Sequence, residues 1–205
     1  MMRVMTDDNG TQEEATLLAV RPAALTLAQV ADHLDVPKGY RVEIIRGRIV
    51  VSPTPVNRHT RIALALYRSL VDVAPSHLAS YVTVTFDMPG TDERYIPDLA
   101  VVDDAAVPDD EWLFPASSLV LAAEITSPGN AHDDRVRELH GYAVAAVPFY
   151  LLIDTLDETI TLFEEPHDGV YRRQMKVRIG DDLHLPEPFD VTIDTTSFAE
   201  RKPGP

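Results

Sequence analysis

Tyr95-Ile96-Pro97-Asp98-Leu99-Ala100-Val101-Val102 and Leu119-Val120-Leu121-Ala122-Ala123-Glu124-Ile125-Thr126-Ser127 are the two stretches on which the fold turns. Each is a short, strongly apolar run bordered or interrupted by one acid. A charge in such a setting needs a partner. Alternation along a strand puts Glu124 on one face with Val120, Ala122 and Thr126, and Leu119, Leu121, Ala123 and Ile125 on the other. Asp98 shares its face with Ala100 and Val102. If the two strands are neighbours, the acids converge at one sheet edge. Two carboxylates about 4 Å apart repel by roughly 4 kcal/mol at an effective dielectric of about 20. A divalent cation removes that cost, and oxygen-only ligands favour magnesium or manganese. An ion so held lowers the pKa of a bound water and offsets charge on a phosphate under attack.

The flanking sequence supplies the rest of an α/β or α+β domain. Thr26 precedes a short helical stretch, Leu27 to Leu34, as an N-cap. Tyr40–Ile45 and Arg48–Ser52 flank Arg46-Gly47, a hairpin signal. After Pro53 and Pro55 a helical spacing runs through Ile62, Leu64, Leu66, Tyr67, Leu70 and Val71. Tyr81–Phe86 reads as a strand by its β-branched content. Asp103 to Pro115 reads as an acidic surface loop carrying Trp112. Past the break at Ser127-Pro128-Gly129-Asn130 come a helix from about His132 to Ala146, a buried strand Phe149–Asp154, and a hairpin pair at Thr159–Phe163 and Tyr171–Val177. The expected organisation is a disordered tail over 1–20, one domain over 21–195 and a frayed end over 196–205.

Composition sets bounds. The chain has 205 residues, enough for one well-buried domain, and 45% of them are hydrophobic. With no cysteine, disulfides and thiolate metal sites are excluded. No apolar run approaches a membrane span, and the acidic start Met1–Gly10 lacks an apolar signal core, so a cytoplasmic location is expected. A net charge of −15 argues against a protein whose whole surface grips nucleic acid. A local basic surface, or a metal among the acids, is still able to meet a phosphate, because charges are screened beyond about 8 Å.

Several pieces in order carry a resemblance: Tyr40-Arg41-Val42-Glu43-Ile44-Ile45-Arg46-Gly47-Arg48-Ile49-Val50, Ser52-Pro53, Arg58-His59, Pro97-Asp98, Glu124-Ile125-Thr126-Ser127-Pro128, Asp134, Tyr142 and Val147-Pro148-Phe149-Tyr150-Leu151-Leu152-Ile153-Asp154. Over roughly Tyr40 to Ile193 the chain resembles the Uma-type family of putative restriction endonucleases, a branch of the PD-(D/E)XK nuclease-like superfamily. The resemblance implies a restriction-endonuclease-like core, a central mixed sheet flanked by helices, with hairpins at both ends. It implies Asp98 and Glu124 as ligands to magnesium or manganese, the Ile125 carbonyl as a further ligand, Glu43 as a third acid, and DNA as the substrate. The usual superfamily lysine two residues after the second acid is Thr126 here. The alternative family position, four residues after Asp134, holds Glu138. The usual positive charge is thus replaced by a negative one, and Arg135, sharing a helical face with Glu138 and Tyr142, is the expected cationic partner.

Two function classes follow from this reading. One is a metal-dependent endonuclease using Glu43, Asp98, Glu124, Arg135 and Glu138. The other is a catalytically impaired nuclease fold, its lysine position taken by Glu138, that serves as a binding or assembly module. His59 reads either as a contact to phosphate or a site water, or as a plain exposed helix residue. Tyr142 is expected to pack on the sheet with its hydroxyl at the site edge. His132 and His140 are not spaced as a zinc pair. Ser127 lacks an evident His/Asp partner for a hydrolase triad. The end hairpins offer edges for pairing between subunits, so a homodimer is expected.

Overall fold

The computed structural model describes residues 25–53, 57–89, 93–126 and 133–200, with only the backbone of Asp133–Arg135 described. The expected tail at 1–20, the turn at Ser127–Asn130, His132 and residues 201–205 lie outside the described residues.

Helix α1 (Leu27–Asp32) starts in a capping box between Thr26 and Gln29. Strands β1 (Arg41–Ile45) and β2 (Arg48–Ser52) form the hairpin expected at Arg46-Gly47. Both turn residues have positive φ, 48° and 67°, the geometry that matches strand twist and that glycine accepts without strain. Helix α2 (Asn57–Val71) follows. Its buried side is His59, Ile62, Ala63, Leu66 and Leu70, while Leu64 and Val71, expected inside, are exposed.

The strand expected at Tyr81–Phe86 is instead two, β3 (Leu78–Tyr81) and β4 (Thr85–Asp87). The chain turns at Thr83, which has φ 60°, and passes from one sheet to another. After β5 (Arg94–Tyr95) and β6 (Leu99–Asp103), the acidic loop carries a short edge strand β7 (Leu113–Pro115). Strand β8 (Leu119–Ile125) comes next. The expected helix is a π-helical turn, Asp133–Glu138, running into α3 (Leu139–Val144). Val136 of this segment is exposed. Strands β9 (Phe149–Asp154), β10 (Thr159–His167), β11 (Val170–Arg178), β12 (Asp182–Leu185) and β13 (Val191–Asp194) complete the chain.

Three layers result. A six-stranded mixed sheet, β11-β10-β9-β8-β6-β3, is central, with β8 and β9 parallel and the other pairs antiparallel. One face packs on α2 through Leu99, Val101, Leu121, Ile125, Leu151 and Ile153, and the C-terminal hairpin closes that core with Leu183, Leu185 and Ile193. The other face packs on α3 and on a five-stranded sheet, β2-β1-β5-β4-β7, through an aromatic-rich core of Phe86, Tyr95, Phe114, Tyr142 and Tyr150. The expected flanking helices therefore lie on both faces, α2 on one and α3 on the other, where a second sheet shares the cover. Leu119 and Leu121, expected on one face, lie in opposite cores. A register shift between Val101 and Val102, paired with Leu121 and Leu119, leaves Val120 as an extra residue and inverts the alternation.

The frayed end expected over 196–205 is ordered as far as it is described. Phe198 is fully buried in the α2 core, Arg61 donates to the carbonyls of Ser197 and Ala199, and Arg58 donates to that of Phe198. Replacing Phe198 with alanine is expected to cost about 3–5 kcal/mol. This would be read as a lower urea midpoint at unchanged slope.

Candidate functional site

The site forms where the chain crosses between sheets. Tyr95 ends β5 in the outer sheet and Leu99 begins β6 in the central one, so Ile96-Pro97-Asp98 is the crossover. Continuing the antiparallel register from Leu99↔Ala123 by one residue puts Asp98 opposite Glu124, on the same face of the sheet. The sequence-derived requirement that the two acids share a face and an edge is satisfied. Both are buried, 6% and 4% exposed.

Asp98 is held from three elements. Arg41 of β1 donates from Nη1 to Oδ1 at 3.0 Å, His59 of α2 places Nε2 2.8 Å from Oδ2, and the Ile125 backbone N–H of β8 donates to Oδ2 at 2.9 Å. Glu43, two residues after Arg41 and on the same strand face, accepts the Ile96 N–H at 2.9 Å. Glu124 accepts the Tyr142 hydroxyl at 2.8 Å. Burial pulls the Arg41 pKa down, but Asp98, then Glu43, then Glu124 raise it by more, so the guanidinium stays above its ordinary range. One cation thus faces three carboxylates. Arg41 is also the most open of these groups, with 18% of its side chain exposed against 3% for Asp98 and 6% for His59.

Glu138 is buried beside the two tyrosines that border this cluster. Burial, then the charges of Glu124 and Glu138, push the Tyr142 phenol well above its ordinary range. Burial, then its hydrogen bond to Glu93, with Glu138 adding further, does the same to Tyr95. Tyr95 and Tyr142 meet edge to face at 5.3 Å. Gly141 makes that approach possible, since a Cβ there would run into the Tyr95 ring and hydroxyl. Thr126, in the usual lysine position, is buried and ties β8 to the end of β9: its hydroxyl accepts the Thr155 N–H at 3.0 Å.

Of the expected site residues, Glu43, Asp98, Glu124 and the Ile125 main chain come together, and Glu138 lies behind them near Tyr142. The Arg135 side chain lies outside what is described. Arg41 and the burial of His59 were missed. Arg41 had a signal in the alternation of Arg41 and Glu43 on a half-buried strand; His59 had none, since its role depends on where α2 begins relative to β6.

The donors, carboxylate oxygens and a backbone carbonyl with one imidazole nearby, suit a hard divalent ion. As the side chains stand, no three of His, Cys, Asp or Glu among the described residues are grouped to hold one; both Asp98 oxygens face N–H donors.

The chain belongs to the Uma2 family, described as "Putative restriction endonuclease", whose profile matches residues 28–196. Among solved structures it is similar to "a putative nuclease belonging to DUF820" from Anabaena variabilis, at 17% identity and a TM-score of 0.67, covering 85% of this chain and 97% of that one. No curated protein matches the chain. No helix among the described residues is long and apolar enough to cross a membrane.

The buried phenols make alkaline unfolding predictable. Tyr142, Tyr95 and Tyr171 all have folded pKa values above the unfolded value near 10. Below about pH 10 both states keep the proton and this contribution to stability is full. Above it the unfolded state ionises first and stability falls. Tyrosinate absorbance is expected to show these three phenols titrating only together with loss of tertiary structure.

Proposed function

We propose that this protein is a divalent-metal-dependent phosphodiester hydrolase acting on DNA. The observation that carries the reading is the convergence of Glu43 from β1, Asp98 from the crossover between β5 and β6, and Glu124 from β8 around the guanidinium of Arg41. Family membership and the similar nuclease structure support it. Asp98, Glu124 and the Ile125 carbonyl are the residues that would hold magnesium or manganese; bound there, such an ion supplies an acidified water and charge neutralisation at phosphate.

The chain's own groups do the rest. Arg41 stands at the open side of the cluster, where a phosphate is met first, and its planar fork suits two phosphate oxygens. It supplies the positive charge that neither lysine position, Thr126 or Glu138, carries. As a permanently protonated group it orients and stabilises, and does not act as a base. Glu43, fixed by the Ile96 N–H, is the acid left to accept a proton from an attacking water. His59 and the Ile125 N–H keep Asp98 in one orientation, and Tyr142 does the same for Glu124.

Adding magnesium or manganese at about 100 times its dissociation constant should stabilise the protein by about 2.7 kcal/mol. At about 2–4 °C per kcal/mol, that raises Tm by roughly 5–10 °C. Asp98→Ala should abolish the rise; unchanged melting of the unaltered protein in both metals removes the basis for the reading. Arg41→Gln should lower DNA cleavage about a hundredfold, in line with the loss of one transition-state donor.

The burial of an acid, Glu138, at the alternative lysine position favours a second reading: a nuclease fold that binds without cutting. Cleavage that appears only in Glu138→Lys would select it. Cleavage by the unaltered protein would refute it.

A further inference from the structure

The chain is strongly acidic, yet its outermost central strand is not. β11, Val170–Arg178, carries Arg172, Arg173, Lys176 and Arg178 and no acid. These are four of the 18 lysines and arginines in the chain. Arg173 is engaged by Glu164 and Glu165 of β10. Arg172, Lys176 and Arg178 are exposed and have no ion pair among the described residues.

Register places two of these cations relative to the acids. Glu124 pairs with Leu152, Leu152 with Thr161, and Thr161 with Lys176. One row along, Asp154 pairs with Thr159 and Thr159 with Arg178. Directly paired residues share a face, so Lys176 and Arg178 project from the face that bears Asp98 and Glu124. The packing agrees: Met175 and Val177, their alternates, pack in the α2 core on the opposite face. Three strand spacings separate Lys176 from Glu124, about 14 Å.

That face is covered in its middle and open at its edge. Leu152 and Thr161, between the two ends of the row, are 6% and 7% exposed. A ligand that engages both ends must therefore be long enough to bridge them and must carry repeated negative charge. A nucleic-acid strand carries one phosphate per about 3.4 Å of axis, so 14 Å corresponds to about four phosphates.

We propose that Lys176 and Arg178 form a second phosphate-binding point for a nucleic-acid duplex whose scissile phosphate lies at Arg41, Asp98 and Glu124. This rests on the phosphodiester reading above and adds a second anchor for the duplex, at the β11 end of the covered row that begins at Glu124. It gives a protein of net charge −15 a local run of exposed cations, Arg172, Lys176 and Arg178, on one strand edge.

The test is the salt dependence of binding, measured by fluorescence anisotropy with a labelled random-sequence duplex and calcium as the divalent ion. Each phosphate contact contributes about 0.9 to the slope of log K against log salt. The double variant Lys176→Gln/Arg178→Gln should therefore have a slope flatter by about 1.8, with unchanged thermal melting. Lys38→Gln/Arg48→Gln, which removes the same charge from exposed positions elsewhere, should leave the slope unchanged. If the β11 variant keeps the parent slope, or the control flattens it equally, the proposal is overturned and the phosphodiesterase reading stands. If the β11 variant alone flattens the slope but the parent protein cleaves nothing in magnesium or manganese, the basic edge stands and the hydrolase reading falls. If the parent binds no duplex, both fall.

Discussion

The carboxylate of Asp98 is the point on which this structure depends. It accepts from Arg41 on β1, His59 on α2 and the Ile125 N–H on β8, so one side chain joins the outer sheet, the helical layer and the central sheet. Three donors around one buried carboxylate compensate its desolvation, which an isolated charge could not do. Asp98 also lies where the chain passes between sheets, so the same contact that satisfies a charge fixes the angle between layers. Glu43 reinforces the corner by accepting the Ile96 N–H, two residues before it.

Charge is rearranged around that corner and not simply lost. The alternative lysine position carries Glu138, and it is buried beside Tyr142 and Tyr95. The compensating cation comes from the opposite side of the site, from β1. A guanidinium on a paired strand, hydrogen-bonded to an acid, is held more rigidly than a lysine on a helix. In the proposed hydrolase this cluster orients and neutralises an anion, and proton removal falls to a carboxylate.

Much of the architecture was legible in the sequence because it is written in local patterns. The hairpin at Arg46-Gly47 needs two left-handed residues, and the sequence offers a glycine there. The runs around Asp98 and Glu124 carry strand periodicity, which fixes the face of each acid within its own strand; the β6–β8 register makes the two faces one. Where reading failed, a long-range event had overridden the local pattern. Thr83 turns the chain out of one sheet into another, splitting a run that looks continuous. The extra residue at Val120 inverts the alternation at Leu119. Phe198 sits in a polar, proline-ended segment, and only the shape of the α2 core draws it in.

What the sequence by itself determined is the identity of the acids and the strands that carry them, because side-chain alternation is a property of the backbone and requires no partner. What only the tertiary structure decided is which cation meets those acids. Arg41 and His59 lie 57 and 39 residues from Asp98 (98 − 41 and 98 − 59), and no local period links them to it. Their roles follow from the crossing of two sheets and the start of one helix, which bring three distant segments to one buried carboxylate.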